Sequence, residues 1–219
     1  MKTIHVAGLD VAFANFGMAR AEIDIDVAMN MYVNVTDLKL ITTEGLNKKT
    51  VRKSSDDLRR AREILEPLKT FCLNFVGVAF AEVPSGSQQA RSSWGLGISV
   101  GVLASCPVPV IQVSQLEVKM ATVGKKTASK QEMIEWAVAR HPAAPWLYSK
   151  KRLVAANEHL ADAVATIYAG MKTDEFKRLV ALLSQPNDGG ETARKMFQDT
   201  HYLSGLGAGI PRYKKRKLT

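Results

Sequence analysis

Glu158, His159 and Asp162 stand in the run AANEHLADAVATIYAG (155–170), where an apolar pattern at helical spacing is interrupted by a polar cluster. Separations of four and three residues put Glu158 and His159 on nearly the same helix face as Asp162. Leu160, Ala163, Val164 and Ile167 make the rest of that helix apolar, so it packs against a core. Charged side chains in such a place are costly unless something pairs them. Two more acids end strand-like stretches: Asp10 closes TIHVAGLD (3–10), and Glu82 comes near the end of LNFVGVAFAEV (73–83). Neighbouring strand ends in one sheet would bring Asp10 and Glu82 together, with Asp162 approaching from the packed helix. Oxygen and nitrogen donors of this kind suit a hard divalent cation, Mg²⁺ or Mn²⁺. Two such cations about 4 Å apart activate a water and stabilise the leaving oxygen of a phosphodiester. Each residue has a bland reading too: Asp10 as a turn cap, His159 as an ordinary satisfied histidine. The constellation is more specific than its members.

The charge pattern supplies a substrate for that chemistry. The chain of 219 residues carries a net charge of +9, which points to a polyanionic partner. Lys48, Lys49, Arg52, Lys53, Arg59, Arg60 and Arg62 crowd one stretch, and Lys119, Lys125, Lys126 and Lys130 another. Arg212, Lys214, Lys215, Arg216 and Lys217 form a basic tail. One such cluster reads as a solvated face; three in a small chain favour binding to a phosphate backbone. No run approaches the ~18 apolar residues that span a bilayer, and MKTIHVAGLD enters a strand pattern with no signal-peptide layout. Membrane classes are thereby disfavoured. Cys72 and Cys106 lie in apolar stretches and read as reduced core thiols of an intracellular protein.

The elements that must position the acids follow from periodicity. Strands are expected at 3–10, 16–24, 31–43, 73–83 and 107–113. Ser54-Ser55-Asp56-Asp57 opens a helix in which Leu58, Ala61, Leu65 and Leu68 follow at helical spacing. Residues 88–105 have helical length, with Gly95, Gly97 and Gly101 suited to close packing. Ser129 and Glu132 form a capping box opening a helix to about Arg140, and 141–151 reads as a loop. The order β-β-β-α-β-α-β-α-α predicts an α/β fold whose sheet starts antiparallel and gains parallel strands. Residues 1–172 form the expected nuclease domain. Beyond it, helices at 174–183 and 191–202, a Gly-rich loop and the basic tail make a C-terminal extension, 173–219.

Four stretches together resemble the RuvC family of Holliday junction resolvases, within the ribonuclease H-like superfamily. VAGLDVAFANFG (6–17) is similar to the family's first strand with its aspartate. VRKSSDDLRRAREIL (51–65) is similar to the basic hairpin end and first helix, and VAFAEVPSGSQQARSSWGLGISVGVLA (78–104) to the glutamate strand and long helix. VKMATVGKKTASKQEM (118–133) with HLADAVA (159–165) is similar to the basic loop and final acidic helix. The resemblance covers about residues 3–170. It implies a ribonuclease H-like mixed five-stranded sheet flanked by helices, and a homodimer that nicks a four-way DNA junction in pairs using two Mg²⁺ (or Mn²⁺) ions per site. Asp10, Glu82 and Asp162 match the metal-binding acids; His159 falls where members carry aspartate or histidine, with Glu158 in reserve. Lys119 and Lys130 match two DNA-contacting lysines, and Lys125, Lys126, Arg52 and Lys53 are further DNA-binding candidates. An intracellular, nucleoid-associated location follows, or a host-cell cytoplasm if the source is viral, which a compact divergent resolvase with an unusual tail would suit. One departure stands out: Val83-Pro84-Ser85 offers no aromatic where some members stack one on the junction bases.

Three rivals remain at this level. Another ribonuclease H-like nuclease, for flaps, other branched DNA or RNA–DNA hybrids, would use the same acids. A sugar-kinase or actin-like ATPase shares the look of GLDVAFANFG but needs a second similar domain, which this chain lacks room for. A non-catalytic DNA-binding module on the same fold would not need all three acids.

Overall fold

The computed structural model describes residues 2–46, 50–83 and 89–183. Its centre is a five-stranded sheet of β1 (Lys2–Asp10), β2 (Asn15–Ile25), β3 (Met31–Thr42), β4 (Val78–Glu82) and β5 (Val110–Val113). The spatial order is β3-β2-β1-β4-β5. β1 pairs antiparallel with β2, and β2 with β3; β4 lies parallel to β1, and β5 parallel to β4. The antiparallel start with parallel additions is therefore as expected. The helices are α1 (Lys53–Cys72), α2 (Ala90–Ala104), α3 (Gln115–Ala121), α4 (Lys130–Arg140), α5 (Asn157–Gly170) and α6 (Asp174–Leu183). Residues Met1–Lys177 form one compact unit; a second begins at Arg178, and of it residues 178–183 are described. No helix among the described residues is long and apolar enough to cross a membrane.

Alternation along the strands divides the core. Ala7 and Leu9 of β1, with Phe16 and Met18 of β2, pack with Ile64, Leu68 and Phe71 of α1 and Val102 and Leu103 of α2. The opposite face presents Gly8, Asp10 and Gly17 to α5. A Cβ added at Gly8 would overlap the carbonyl oxygen of Ala163, and one at Gly17 would overlap that of His159. At the other end of α5, Gly170 lies against the Phe80 ring in the same way. These glycines let the helix backbone rest on the sheet where any side chain would hold it off. Phe80 also meets Phe176 of α6 edge to face, ring centroids 5.2 Å apart.

Several sequence expectations need correction. The strand placed at 73–83 begins only at Val78, because α1 runs on to Cys72 and the chain then turns, with Asn74 at φ 67°. The strand placed at 107–113 shortens to Val110–Val113, after Pro107 and Pro109. In α1 the buried face is Asp56, Asp57, Arg60, Ile64, Leu68, Phe71 and Cys72, and Leu58 is exposed. Burying Arg60 is possible because its guanidinium stacks on the Phe13 ring at 4.0 Å and bonds to the Thr43 hydroxyl (3.0 Å) and the carbonyls of Phe13 and Thr43 (3.2 Å each). This one side chain ties together α1, the end of β3 and the loop that follows Asp10. The helix starts at Lys53 with no side-chain cap; Asp56 and Asp57 instead pair with Lys53, and Asp56 with Arg59.

The capping box of Ser129 and Glu132 opens α4 as expected. Ser114 and Glu117 form a second one, opening α3, whose last residues reach into the stretch read as a basic loop. The loop at 141–151 instead leads into a small hairpin, β6 (Tyr148–Ser149) and β7 (Arg152–Leu153), whose turn residues Lys150 and Lys151 stand at φ 47° and 65°. Left-handed backbone costs an L residue roughly 1–2 kcal/mol. Gly97 and Gly101 of α2 meet nothing within 4 Å, so close packing for them is not found within the described chain. Cys72 and Cys106 are both free thiols within hydrogen-bonding contact of each other. Pro84 and Ser85, the helix at 191–202, Lys48, Lys49 and the basic tail lie outside the described residues.

Gly17→Ala is expected to lower the melting temperature, since overpacking costs about 1–3 kcal/mol and each kcal/mol shifts Tm by roughly 2–4 °C at this size. Thermal denaturation followed by circular dichroism measures it. An unchanged Tm would mean that α5 does not press on β2.

Candidate active site

Asp10 and Glu82 are register partners at the ends of the parallel strands β1 and β4. Partners in adjacent strands project to the same face, so both carboxylates rise from one sheet edge. α5 crosses above them because Gly8 and Gly17 admit its backbone. Gly17 is itself the cross-strand partner of Asp10. The closest approach of helix to sheet therefore falls beside the first acid. His159 Nδ1 reaches Asp10 Oδ2 at 2.7 Å, the ring nitrogen donating to the carboxylate. One helical turn further on, Asp162 faces the same pair; its electrostatic neighbours are Asp10, Glu82, His159 and Glu158.

Glu158, the reserve candidate, lies beside the same cluster. Its Oε1 accepts from Lys130 Nζ at 2.7 Å and lies 3.7 Å from His159 Nε2. A line of close polar contacts thus runs Lys130, Glu158, His159, Asp10, from the surface to the strand end. Lys119, on the last turn of α3 and not in a loop, is close enough to Glu82 to act on its ionisation. The structure brings together Asp10, Glu82, His159, Asp162, Glu158, Lys119 and Lys130. Other cations expected to contact DNA are engaged elsewhere: Lys53 pairs with Asp57 at 3.2 Å, and Lys125 with Glu132 at 3.0 Å. Lys126 and Arg52 are exposed.

The electrostatics show uncompensated negative charge. Burial, then the carboxylates of Asp10 and Glu82, push Asp162 up to about 7, while His159 opposes the rise. Burial and Asp10 also raise Glu82, with Lys119 working against them. His159 moves above the usual histidine value, chiefly through its hydrogen bond to Asp10. Carboxylates held from ionising by burial and by one another are a donor set short of positive charge. Among the described residues, no three His, Cys, Asp or Glu side chains are already gathered into a cage for a metal ion. The acids nonetheless fit a divalent cation chemically: all are hard oxygen donors, and a cation would relieve the repulsion that raises Asp162 and Glu82.

Sequence reasoning found the three acids and His159 but not what seats them. Gly8 and Gly17 sit in the quoted motif VAGLDVAFANFG, and their role required knowing which helix lies above. Asn157 was also missed. Its fully buried side chain accepts from Leu147 N (2.9 Å) and donates to the carbonyls of Leu147 (2.8 Å) and Val154 (3.0 Å). This fixes the first residue of α5 to the base of the β6–β7 hairpin.

The raised value of Asp162 sets a pH dependence. Its folded-state value lies above the ordinary 3.8, so the folded protein holds the extra proton between the two. Stability therefore falls as pH rises from about 4 to 7 and is flat above that window. Asp162→Asn removes this penalty and should stabilise the fold at about pH 8 in EDTA by a few kcal/mol at most, read as a higher Tm. Saturating Mg²⁺ should stabilise the wild type more than the variant. A lower Tm for Asp162→Asn in EDTA would refute the crowding of charge at this site.

In comparisons with known proteins, no family model matches the chain and no curated protein matches it. Solved structures do. A structure of Thermus thermophilus RuvC in complex with Holliday junction substrate aligns with TM-score 0.55 and 19% identity, over 76% of this chain and 92% of that one. A second structure of Thermus thermophilus RuvC aligns with TM-score 0.52 and 20% identity, over the same shares of each chain. At that level of identity the likeness is one of architecture: the mixed five-stranded sheet and its flanking helices form a RuvC-like, ribonuclease H-like fold.

Proposed function

We propose that this protein is a metal-dependent nuclease that resolves four-way DNA junctions. The observation that carries the reading is the convergence of Asp10, Glu82 and Asp162 at one sheet edge, with Asp162 pushed up to about 7 by burial and its fellow acids. Two divalent cations held by these carboxylates, Mg²⁺ or Mn²⁺, would supply Lewis-acid activation of a water and of the scissile phosphate. Asp10 sits between Glu82 and His159 and would hold the cations together with Glu82 and Asp162. His159, bonded to Asp10, orients that carboxylate and carries a proton at Nδ1. Lys119 beside Glu82 and Lys130 beside Glu158 line the same approach and would hold the phosphate backbone. In the family the fold resembles, the junction is met by a two-fold dimer. α2 supports that assembly here: it is apolar, its Gly97 and Gly101 have open space beside them, and Trp94 and Val100 are exposed.

The test is cleavage of a labelled four-way junction with and without Mg²⁺. Wild type should make symmetric nicks only with the metal. Asp10→Asn should lose more than the 10–100-fold typical of disturbing a metal's outer partners. Cleavage of flaps or RNA–DNA hybrids in place of junctions would keep the chemistry and replace the substrate. Undiminished cleavage by Asp10→Asn would overturn the reading.

A further inference from the structure

The β6–β7 hairpin has no place in the site described above, yet it is built as a contact surface. Every residue from Leu147 to Leu153 is exposed. Lys150, Lys151 and Arg152 are consecutive cations, and no Asp or Glu occurs anywhere from 136 to 157. Among the described residues no ion pair or hydrogen bond engages those three side chains. Tyr148, which is 57% exposed, adds an aromatic ring beside them. Exposed cations interleaved with an aromatic make the composition of a nucleic-acid contact.

The turn itself argues against a merely structural loop. Both central residues have positive φ, as in the tight two-residue hairpin turn that Asn-Gly satisfies best. Lysine at both positions goes against local preference, and such strain tends to persist where a side chain is needed. The hairpin is also fixed relative to the acids. Its base is bonded to the buried Asn157, and Val154 N donates to Leu147 O at 3.2 Å. From Asn157 it is two residues to His159 and five to Asp162, a helical rise of about 3 Å and 7.5 Å.

We propose that the hairpin Tyr148–Leu153 is a second phosphate-backbone contact, in which Lys150, Lys151 and Arg152 hold the DNA a short way along from the phosphate at Asp10 and Glu82. This rests on the nuclease reading. The rigid Asn157 base makes the hairpin a fixed ruler between the gripped backbone and the acids.

The decisive variant is Lys150→Asn with Lys151→Gly, which gives the turn its preferred residues while removing two charges. Binding of the full chain to a fluorescent four-way junction is measured across a salt series, in an Asp10→Asn background with Mg²⁺ so that the DNA stays whole. Tm should hold or rise. The junction Kd should weaken about tenfold near 0.1 M salt, and the slope of log K against log salt should flatten by about 1.8, near 0.9 per lost phosphate contact. If that variant loses Tm, Lys150→Gln with Lys151→Gln and Arg152→Gln makes the test with no glycine in the turn, the slope then flattening by about 2.7 for three lost contacts. Unchanged Kd and slope in a folded variant, with wild type binding and cutting junctions, overturn the hairpin proposal alone. Failure of the wild type to bind any branched DNA overturns the nuclease reading and this proposal with it.

Discussion

The backbone of α5 touches the sheet, and the positions of the acids follow from that contact. Gly8 and Gly17 remove the side chains that would hold the helix off, and Gly17 does so beside its cross-strand partner, Asp10. His159 is the residue whose carbonyl fills the space at Gly17. One close approach therefore sets the Asp10–His159 hydrogen bond, the height of Asp162 above Glu82, and the seat of Gly170 against Phe80. Arg60 stabilises the same region from the other side of the sheet by holding the loop after Asp10 to α1 and β3. The site is rigid because it is pinned from both faces.

That rigidity has an electrostatic cost. Asp162 and Glu82 are raised by burial and by their neighbours, so the fold keeps like charges closer than they would sit on their own. Natural folds give up stability of this kind at functional sites, where strain or repulsion is part of the chemistry. The nearby cations do not cancel it. Lys130 spends its hydrogen bond on Glu158, and Lys119 only partly offsets Glu82.

Much of this was legible in the sequence, and the illegible parts have physical reasons. The acids could be found because a charge on an apolar period stands out, as at Glu82 after VAFA and Asp162 within α5. The antiparallel start and the parallel additions of the sheet followed from the order of elements. Capping signals were readable where the side chains act locally, as at Ser129 and Glu132. What failed were judgements that depend on tertiary partners. Arg60 looked solvent-facing and Leu58 buried, because the ring and carbonyls that stabilise Arg60 come from Phe13 and Thr43, far along the chain. The 148–153 hairpin was invisible because Lys-Lys is not a turn signal. The one-residue identity of Asn157 as a clamp likewise needed the carbonyls it meets.

The Asp10–His159 bond closes a loop of 149 positions. Contacts so distant in sequence form only after the intervening chain is ordered, since closing a long loop is entropically unfavourable before other contacts repay it. Asp10 and Glu82 can meet once β1 and β4 pair, but the third acid arrives only when α5 docks. A growing or half-folded chain thus has the sheet and two carboxylates without the third. For the nuclease proposed above, that arrangement would delay competence until folding is finished and leave the unfinished molecule harmless to the nucleic acid around it.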